Sequence, residues 1–283
     1  MNRTITLFQV DSFTDVAFKG NPAGVCITDK ALDDKVMQNI ALEMNLSETA
    51  FAVPANYGSV SSSSKFSLRW FTPSCEVDLC GHATLAAAKI LYNIYNIKAE
   101  TIKFDSKSGE LLVSKHDDLI QLDFPIGDPQ PIELPGYFRA ALRLSDADWA
   151  NSFTQASQCK KLGMLLICFK SADMIKNISP NFTDLANAEL AFGNRGVIIT
   201  AEEKKDYDFI SRFFAPGFGI NEDPVTGAAH TVLAPYWSAK LNKSKMRAYQ
   251  VSQRGGVVLM QMQDDRVLLS GKAVIVLEGV IHL

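Results

Sequence analysis

Apolar and polar positions change their period along the chain, and each change predicts an element. Alternation at residues 4–10 and 65–71 indicates strands, whereas apolar side chains four apart over residues 32–44 indicate an amphipathic helix that stops at Asn45. The alanine- and leucine-rich stretch 84–95 predicts a second, buried helix. Further strands are predicted at 23–28, 49–53, 101–105, 110–115 and 119–124.

Prolines interrupt the pattern at residues 125–136, where they stand at positions 125, 129, 131 and 135. Because proline lacks an N–H and fixes φ, we expect a linker with no regular element. Beyond it the pattern predicts strands at 164–169, 196–200, 207–214, 246–251, 256–262, 266–270 and 273–278, with helices near 181–190 and 228–240. We therefore expect a first lobe, 1–124, and a second lobe, 125–271, and leave open a return of the C-terminal strand 272–283 to the first lobe.

The two halves resemble each other residue by residue. The sequence RWFTP at 69–73 matches RFFAP at 212–216, and Cys80-Gly81 matches Thr226-Gly227, each at the start of an alanine-containing helix. Ser108-Gly109-Glu110 and Asp117-Asp118 also have counterparts, at 254–256 and 264–265. The offsets stay between 143 and 147 residues, as from 69 to 212 and from 117 to 264. Four matches that occur in the same order at nearly the same offset predict a duplicated fold.

A duplicated glycine before a helix suggests a binding site. A helix N-terminus presents unpaired backbone N–H groups and a partial positive charge, and a glycine lets a ligand approach closely. If the helices after Gly81 and Gly227 point into one cleft, the cleft suits a small carboxylate with proton-transfer groups on either side.

Cys80 has several possible roles. A racemase with two thiol bases needs a cysteine in each half, but the counterpart of Cys80 is Thr226, whose hydroxyl is far too weak a base. Nucleophilic Cys/His catalysis is disfavoured because Cys80 and His82, two residues apart at a helix start, are expected to point apart. Cys75, Cys80 and His82 do not have standard zinc spacing, so no metal is expected. We expect Cys80 to pack in or beside the site.

Three other side chains are candidates for proton transfer. Glu48 opens an apolar strand, where partial burial raises a carboxyl pKa toward the value that a general acid/base needs. Asp223 precedes Pro224, which forces an extended turn before the second helix. His82 stands where an imidazole could bind an anion or relay a proton. A strand-edge glutamate, a capping aspartate and a structural histidine remain the alternatives.

These residues together resemble the phenazine-biosynthesis PhzF family, particularly its phenazine biosynthesis-like domain members. The resemblance spans nearly the whole chain and is weak at about 125–195. Its carriers are DSFT at 11–14, GNPA at 20–23, NLSETAF at 45–51, LRWFTP at 68–73, Glu76, LCGHATLA at 79–86, Arg212, FAP at 214–216, EDPVTG at 222–227, Tyr236-Trp237 and QRGG at 253–256.

The resemblance implies a diaminopimelate-epimerase-like α+β fold: two pseudo-symmetric lobes, each a mostly antiparallel, barrel-like sheet around a central helix. It implies an isomerase that moves a proton within a small substrate without metal or organic cofactor, and a homodimer. Glu48 corresponds to the general acid/base, and His82 and Asp223 to supporting groups. Substrate-binding positions fall at Cys80, Gly81, Thr226, Gly227 and Ala228. Many members have serine where this chain has Ala228, so a hydroxyl that could contact the substrate is absent here.

Two other functions remain open: a Cys80-assisted racemase or epimerase of an amino acid, and a non-catalytic binding protein on the same scaffold. The net charge of −3 disfavours a nucleic-acid partner. The opening MNRTITLFQVDSFTD lacks the apolar run of a signal peptide, and no run elsewhere is long enough to span a membrane. Five scattered cysteines fit reduced thiols in the cytoplasm.

Overall fold

A computed structural model describes residues 4–55 and 59–283, so the first three residues of the opening segment lie outside the described residues. The strands are β1 Thr4–Ser12, β2 Asn21–Ile27, β3 Glu48–Pro54, β4 Lys65–Phe71, β5 Glu76–Val77, β6 Thr101–Ser106, β7 Gly109–His116, β8 Leu119–Pro125, β9 Gln130–Ile132, β10 Phe153–Cys159, β11 Met164–Phe169, β12 Gly196–Glu202, β13 Phe209–Ala215, β14 Ile220–Asp223, β15 Lys245–Gln250, β16 Gly256–Gln263, β17 Arg266–Gly271 and β18 Ala273–His282. The α-helices are α1 Asp34–Met44, α2 Gly81–Asn93, α3 Gly136–Ala141, α4 Asp146–Ser152, α5 Ala172–Asn177, α6 Phe182–Phe192 and α7 Gly227–Leu241. This mixture confirms the α+β prediction.

The chain divides into two compact units. Unit 1 runs to Phe124 and resumes at Leu268–Leu283, and unit 2 is Pro125–Val267. Within the described residues, no helix combines the length and the apolar character needed to cross a membrane.

Helix α2 is the central element of unit 1. Ten of its thirteen residues are buried, and it packs against β1, β2, β3, β7 and β18. Its alanines at 83 and 86–88 are almost completely buried, and such small side chains let strands approach the helix closely. Helix α1 begins at Asp34 and ends where Asn45 adopts a left-handed conformation, as the sequence predicts.

The strand pairing of unit 1 is mostly antiparallel. Strand β1 pairs antiparallel with β2 and β18, and β3 pairs antiparallel with β4. Strand β4 also pairs antiparallel with β5, and β7 lies antiparallel between β6 and β8. Two pairs are parallel, β2 with β3 and β4 with β6, and helices α1 and α2 respectively make these connections.

Unit 2 repeats most of this pairing. Strand β10 pairs antiparallel with β9 and β11, β12 with β13, β13 with β14, and β15 with β16. The parallel pairs recur as β11 with β12 and β13 with β15. Helix α7 takes the place of α2, with nine of its fifteen residues buried. The repeated pairing supports the duplication inferred from the sequence.

A bidentate ion pair occupies the same place in both units. Arg69 on β4 donates to Glu76 on β5, and Arg212 on β13 donates to Glu222 on β14. In both pairs the Nε–Oε1 distance is 2.7 Å and the Nη2–Oε2 distance is 2.9 Å. Each guanidinium also lies over the phenylalanine ring two positions later, at 5.1 and 4.9 Å. These arginines therefore have the same structural role, holding a two-stranded extension that precedes the central helix.

The last strand of each half of the sequence pairs with the first strand of the other half. Strand β9 follows β8 in the chain but pairs with β10 in unit 2. Strand β18 follows β17 but pairs with β1 in unit 1, over residues Thr4–Ser12. Since β1 and β10 are counterparts in the repeat, β9 and β18 are counterparts too.

The linker predicted at residues 125–136 contains regular structure, so that prediction is wrong. Pro125 closes β8, and β9 forms with Pro131 at its centre, opposite Ser157 of β10. A three-residue strand tolerates this proline because only one N–H is lost from the ladder. The second half also begins earlier than predicted, with α3, α4 and β10 preceding β11.

Gly127 fastens this segment to α7. Its N–H donates to the Thr231 carbonyl over 2.9 Å. Pro235, four residues after Thr231, has no N–H to occupy that carbonyl within the helix. A Cβ on Gly127 would lie 2.9 Å from Cγ2 of Val232, so the close approach requires glycine.

Unit 2 buries one carboxyl group with few partners. Glu189 on α6 has no exposed surface, and its Oε2 accepts a hydrogen bond from the Gly217 N–H over 2.8 Å. Its Oε1 is buried and has no hydrogen-bond partner among the described residues. Burial raises the pKa of Glu189 from 4.5 to about 7.

Glu189→Gln is expected to stabilise the protein at pH 8 and to have little effect at pH 4.5. Because the folded-state pKa is raised, the native state keeps a proton that the unfolded chain loses, so stability falls as pH rises from 4.5 to about 7. Glutamine does not titrate and so removes this pH dependence. We therefore expect the free energy of unfolding to rise by roughly 2 kcal/mol at pH 8. Urea unfolding at the two pH values measures it, with exposed Glu133→Gln as the control; equal effects of the two substitutions would contradict the prediction.

Candidate functional site

Three of the predicted site residues meet in unit 1, at the start of α2. Glu48 is the first residue of β3, Cys80 precedes the helix, and His82 is its second residue. His82 Nε2 lies 3.3 Å from Glu48 Oε2, and His82 Nδ1 lies 3.5 Å from Cys80 Sγ. The chain passes from β3 through β4 and β5 to α2, and this path brings a carboxyl, a thiol and an imidazole together.

The expectation that Cys80 and His82 point apart is wrong. It treats both residues as helical, but Cys80 is the N-cap and has extended backbone angles, φ −143° and ψ 113°. The chain therefore turns between Cys80 and His82, and the thiol comes within 3.5 Å of the ring. The Cys80 carbonyl accepts from Thr84 Oγ1 and from the Thr84 N–H, which holds the turn.

His82 is neutral at neutral pH. Its side chain is 6% exposed, and burial lowers its pKa from 6.5 to about 3. The Glu48 side chain is 14% exposed, and its Oε2 atom is buried. The contact between Nε2 and Oε2 lacks the angles of a hydrogen bond. The pair is therefore a carboxyl group beside a neutral imidazole.

Glu48, Cys80 and His82 also form a group of possible metal ligands, with the three ligand atoms within 4.8 Å of one another. A metal ion binds an imidazole in line with one ring nitrogen. Here the thiol lies 3.5 Å from Nδ1 and the carboxyl 3.3 Å from Nε2, so the two groups are nearest to different nitrogens of the ring.

Gly81, a fourth predicted residue in unit 1, is the first residue of α2. The remaining predicted residues lie in unit 2, around the start of α7. Asp223 ends β14 and is 7% exposed, and its carboxyl accepts a hydrogen bond from Thr226 Oγ1. Thr226 is the N-cap, and Gly227 and Ala228 open the helix. Gly227 is buried and Ala228 is partly exposed. The shared cleft predicted from the duplication stays a prediction.

A glutamine that sequence reasoning missed holds this second group together. Gln250, at the end of β15, has no exposed surface. Its amide donates to the Asp223 carbonyl over 2.7 Å and to Thr226 Oγ1 over 3.1 Å, and its Oε1 accepts from the Thr226 N–H over 2.9 Å. Gln250 lies three residues before the family-like sequence QRGG at 253–256. That resemblance pointed to this part of the chain without indicating Gln250 itself.

His230 packs within unit 2. It is fully buried, its Nδ1 lies 2.8 Å from the Thr226 carbonyl, and its ring stacks on Phe209. Burial lowers its pKa to about 4, so it too is neutral at neutral pH.

Two further residues missed by the site prediction contact His82. Ser12, the last residue of β1, donates to the His82 carbonyl over 2.8 Å. Asn21, the first residue of β2, places Nδ2 3.2 Å from His82 Nδ1. Both have no exposed surface. They lie in the family-like sequences DSFT and GNPA, so the resemblance marked these stretches without indicating what they touch.

The fold and this site define a class: α+β proteins with a repeated strand pairing and a carboxyl group beside an imidazole at the start of a central helix. The chain matches the phenazine biosynthesis-like protein family over residues 10–279 and belongs to it, which confirms the predicted family. An uncharacterized isomerase of Halalkalibacterium halodurans is 45% identical over 280 residues, covering 98% of each chain. Phenazine biosynthesis-like domain-containing protein 1 of Mus musculus is 42% identical, covering 97% of this chain and 98% of its own.

Solved structures agree with this assignment. The crystal structure of a PhzF-family phenazine biosynthesis protein from Enterococcus faecalis has a TM-score of 0.89 at 40% identity, covering 99% of this chain and all of its own.

Proposed function

We propose that this protein is an isomerase that moves a proton within a small, carboxylate-bearing substrate by general acid/base catalysis, without an organic cofactor. The observation that carries the proposal is the partly exposed Glu48 side chain, with Oε2 3.3 Å from the Nε2 of a buried, neutral imidazole. Membership of a family whose relatives include proteins called isomerases supports the reaction class.

In this mechanism Glu48 begins as a carboxylate. It takes a proton from a carbon that an adjacent unsaturated or carbonyl group makes acidic, and the substrate becomes a delocalised anion. Glu48, now a carboxylic acid, returns the proton to a different carbon of the same anion. The substrate and product therefore have the same atoms and charge, and the enzyme ends as it began.

His82 and the helix starts have supporting roles in the proposal. The neutral ring offers a hydrogen bond to the Glu48 carboxylate without adding a buried charge. In unit 1 the backbone at Gly81 would bind a substrate carboxylate, with Cys80 beside it. In unit 2 the corresponding binding positions are Thr226, Gly227 and Ala228. Asp223 would be the supporting carboxyl group of unit 2.

The proposal includes a cytoplasmic homodimer. All five cysteines lie in the described part of the chain and are thiols, which fits a reducing compartment. The homodimer comes from the family resemblance, and size-exclusion chromatography with light scattering tests it.

A second candidate is a racemase or epimerase in which Cys80 acts as one base. The 3.5 Å contact between the Cys80 thiol and His82 Nδ1 favours it, because an imidazole can accept the thiol proton. Its counterpart Thr226 cannot serve as the second base, so this reaction needs another proton donor.

Hydrogen exchange in deuterated water distinguishes the two candidates. The wild-type protein is incubated with cyclic unsaturated carboxylates and with amino and hydroxy acids, and deuterium uptake and isomer formation are followed by mass spectrometry and chiral chromatography. We expect uptake with a cyclic unsaturated carboxylate that survives Cys80→Ser and thiol alkylation. Loss of exchange in both treatments would favour the second candidate, and no exchange with any compound would favour a non-catalytic binding protein.

A further inference from the structure

We infer that Asn21 is a positioning residue for the proposed reaction: its side-chain amide fixes His82 in the tautomer that carries its proton on Nε2, toward Glu48. This inference rests on the proposed function for its catalytic consequence, but the tautomer itself can be measured without any substrate.

The contacts of the ring specify the tautomer. Nδ1 faces the Asn21 amide nitrogen at 3.2 Å and the Cys80 thiol at 3.5 Å, and both groups are hydrogen-bond donors. An Nδ1 that faces two donors must offer a lone pair, and the single proton of a neutral ring then resides on Nε2. Nε2 faces a carboxyl oxygen of Glu48 at 3.3 Å, which is an acceptor when Glu48 is ionised.

The opposite tautomer conflicts with this environment. A proton on Nδ1 would point at the N–H groups of Asn21, and the bare Nε2 lone pair would face a carboxylate oxygen. Reversal of the Asn21 amide would remove the first conflict but not the second unless Glu48 were protonated. A base form of Glu48 and an Nε2–H ring are therefore mutually consistent.

The backbone around Asn21 is built to hold it. Gly20 has a φ of +65°, and a Cβ there would lie 2.1 Å from the Ser12 carbonyl oxygen. Ser12 and Asn21 are register partners at the end of the β1–β2 hairpin. Ser12 binds the His82 carbonyl and Asn21 contacts the ring, so one hairpin end fixes both the backbone and the side chain of His82.

The duplication provides an internal comparison. In unit 2 the corresponding hairpin end pairs Cys159 with Met164, which follows Gly163 with a φ of +63°. The position that corresponds to His82 is Ala228, two residues after the N-cap. The glycine with positive φ before the second strand is thus retained in unit 2, where residues 160–163 connect the strands in place of 13–20. The serine, asparagine and histidine are all replaced by residues without their hydrogen-bonding groups. The polar residues of unit 1 therefore belong together as a histidine-positioning device rather than to the hairpin itself.

Nitrogen-15 NMR of histidine-labelled protein tests the inference. Two-bond correlations between ring protons and nitrogens distinguish the two tautomers, and the signals that disappear in His82→Gln identify His82 among the four histidines. The wild-type ring is expected to carry its proton on Nε2 at pH 7. Asn21→Asp has almost the same shape but presents an acceptor, so we expect Nδ1 to gain a proton in this variant.

Ser12→Ala is the matched control, because it removes the contact with the His82 backbone and leaves the ring contacts in place. We expect its tautomer to remain that of the wild type. A wild-type ring with its proton on Nδ1 would overturn the inference even if Asn21→Asp failed to fold. An Asn21→Asp protein that keeps a bare Nδ1 would overturn it as well.

Activity gives a separate readout once an exchanging substrate is known. Asn21→Asp is expected to lower kcat by at least about tenfold, since a wrong tautomer misplaces the catalytic proton, and to change KM little. The expected NMR result without any exchange activity in the wild type would contradict the proposed function and leave the role of Asn21 standing.

Discussion

Replacing Glu48 by glutamine is expected to slow proton transfer severely, with a loss of about 100-fold to 10,000-fold in kcat. Glutamine has the same shape as glutamate, but its amide cannot take and return a proton. The side chain is 14% exposed and lies at the first residue of β3, so the substitution should leave the fold intact. Deuterium incorporation into a substrate that the wild-type protein exchanges measures the effect, with circular dichroism to verify folding.

Glu43→Gln is the matched control for this prediction. Glu43 is an exposed residue of α1 in the same unit, so the same change of charge is made away from the site. We expect the control to exchange at the wild-type rate. Exchange by Glu48→Gln within about tenfold of the wild type would exclude Glu48 as the general base, because even modest acid/base catalysis exceeds that factor.

Gly20→Ala is expected to have the largest effect on stability, a loss of roughly 3 kcal/mol or more in the free energy of unfolding. The φ of +65° disfavours any residue with a Cβ, and here that Cβ would lie 2.1 Å from the Ser12 carbonyl oxygen. The obstructing atom belongs to the backbone and cannot rotate away. The β1–β2 hairpin would have to open, which would also displace Asn21 from His82. Urea unfolding measures the loss.

Gly109→Ala separates the two parts of this cost. Gly109 lies in the same unit with a φ of +93°, and a Cβ there would meet nothing within 4 Å. Its substitution should cost about 1–2 kcal/mol, the usual penalty for a left-handed conformation alone. Equal losses in the two variants would show that the close contact at Gly20 relaxes without cost.

The duplication was predictable from the sequence because its strongest markers are chemical. Arg69 and Arg212 recur with their following phenylalanine and proline since each makes the same bidentate ion pair and ring contact. Helix α1 was predictable within two residues at its start because its apolar spacing and Asn45 agree. Patterns of neighbouring residues were therefore sufficient to predict the repeated motifs and helix α1.

The other features depend on contacts between distant residues. Asn21 and His82 are far apart in sequence, and no periodicity indicates that the β1–β2 hairpin ends beside α2. Cys80 was misjudged because its orientation depends on the extended N-cap conformation, which the alanine-rich pattern after it does not reveal. Strand β9 was missed since Pro131 and the prolines on either side of it disfavour a strand locally, whereas pairing with β10 outweighs that preference.

The reciprocal placement of β9 and β18 suggests how such a chain could arise. A single half-length ancestor would carry one such terminal strand, and its first strand would present an open edge. Two copies could each lend that strand to the other and form a symmetric domain-swapped dimer. Fusion of the two genes would then place both copies on one chain and allow each to diverge, so that one retained the histidine and the other Ala228. Separately expressed halves, each unable to close its own sheet, are therefore expected to fold efficiently only when they are produced together.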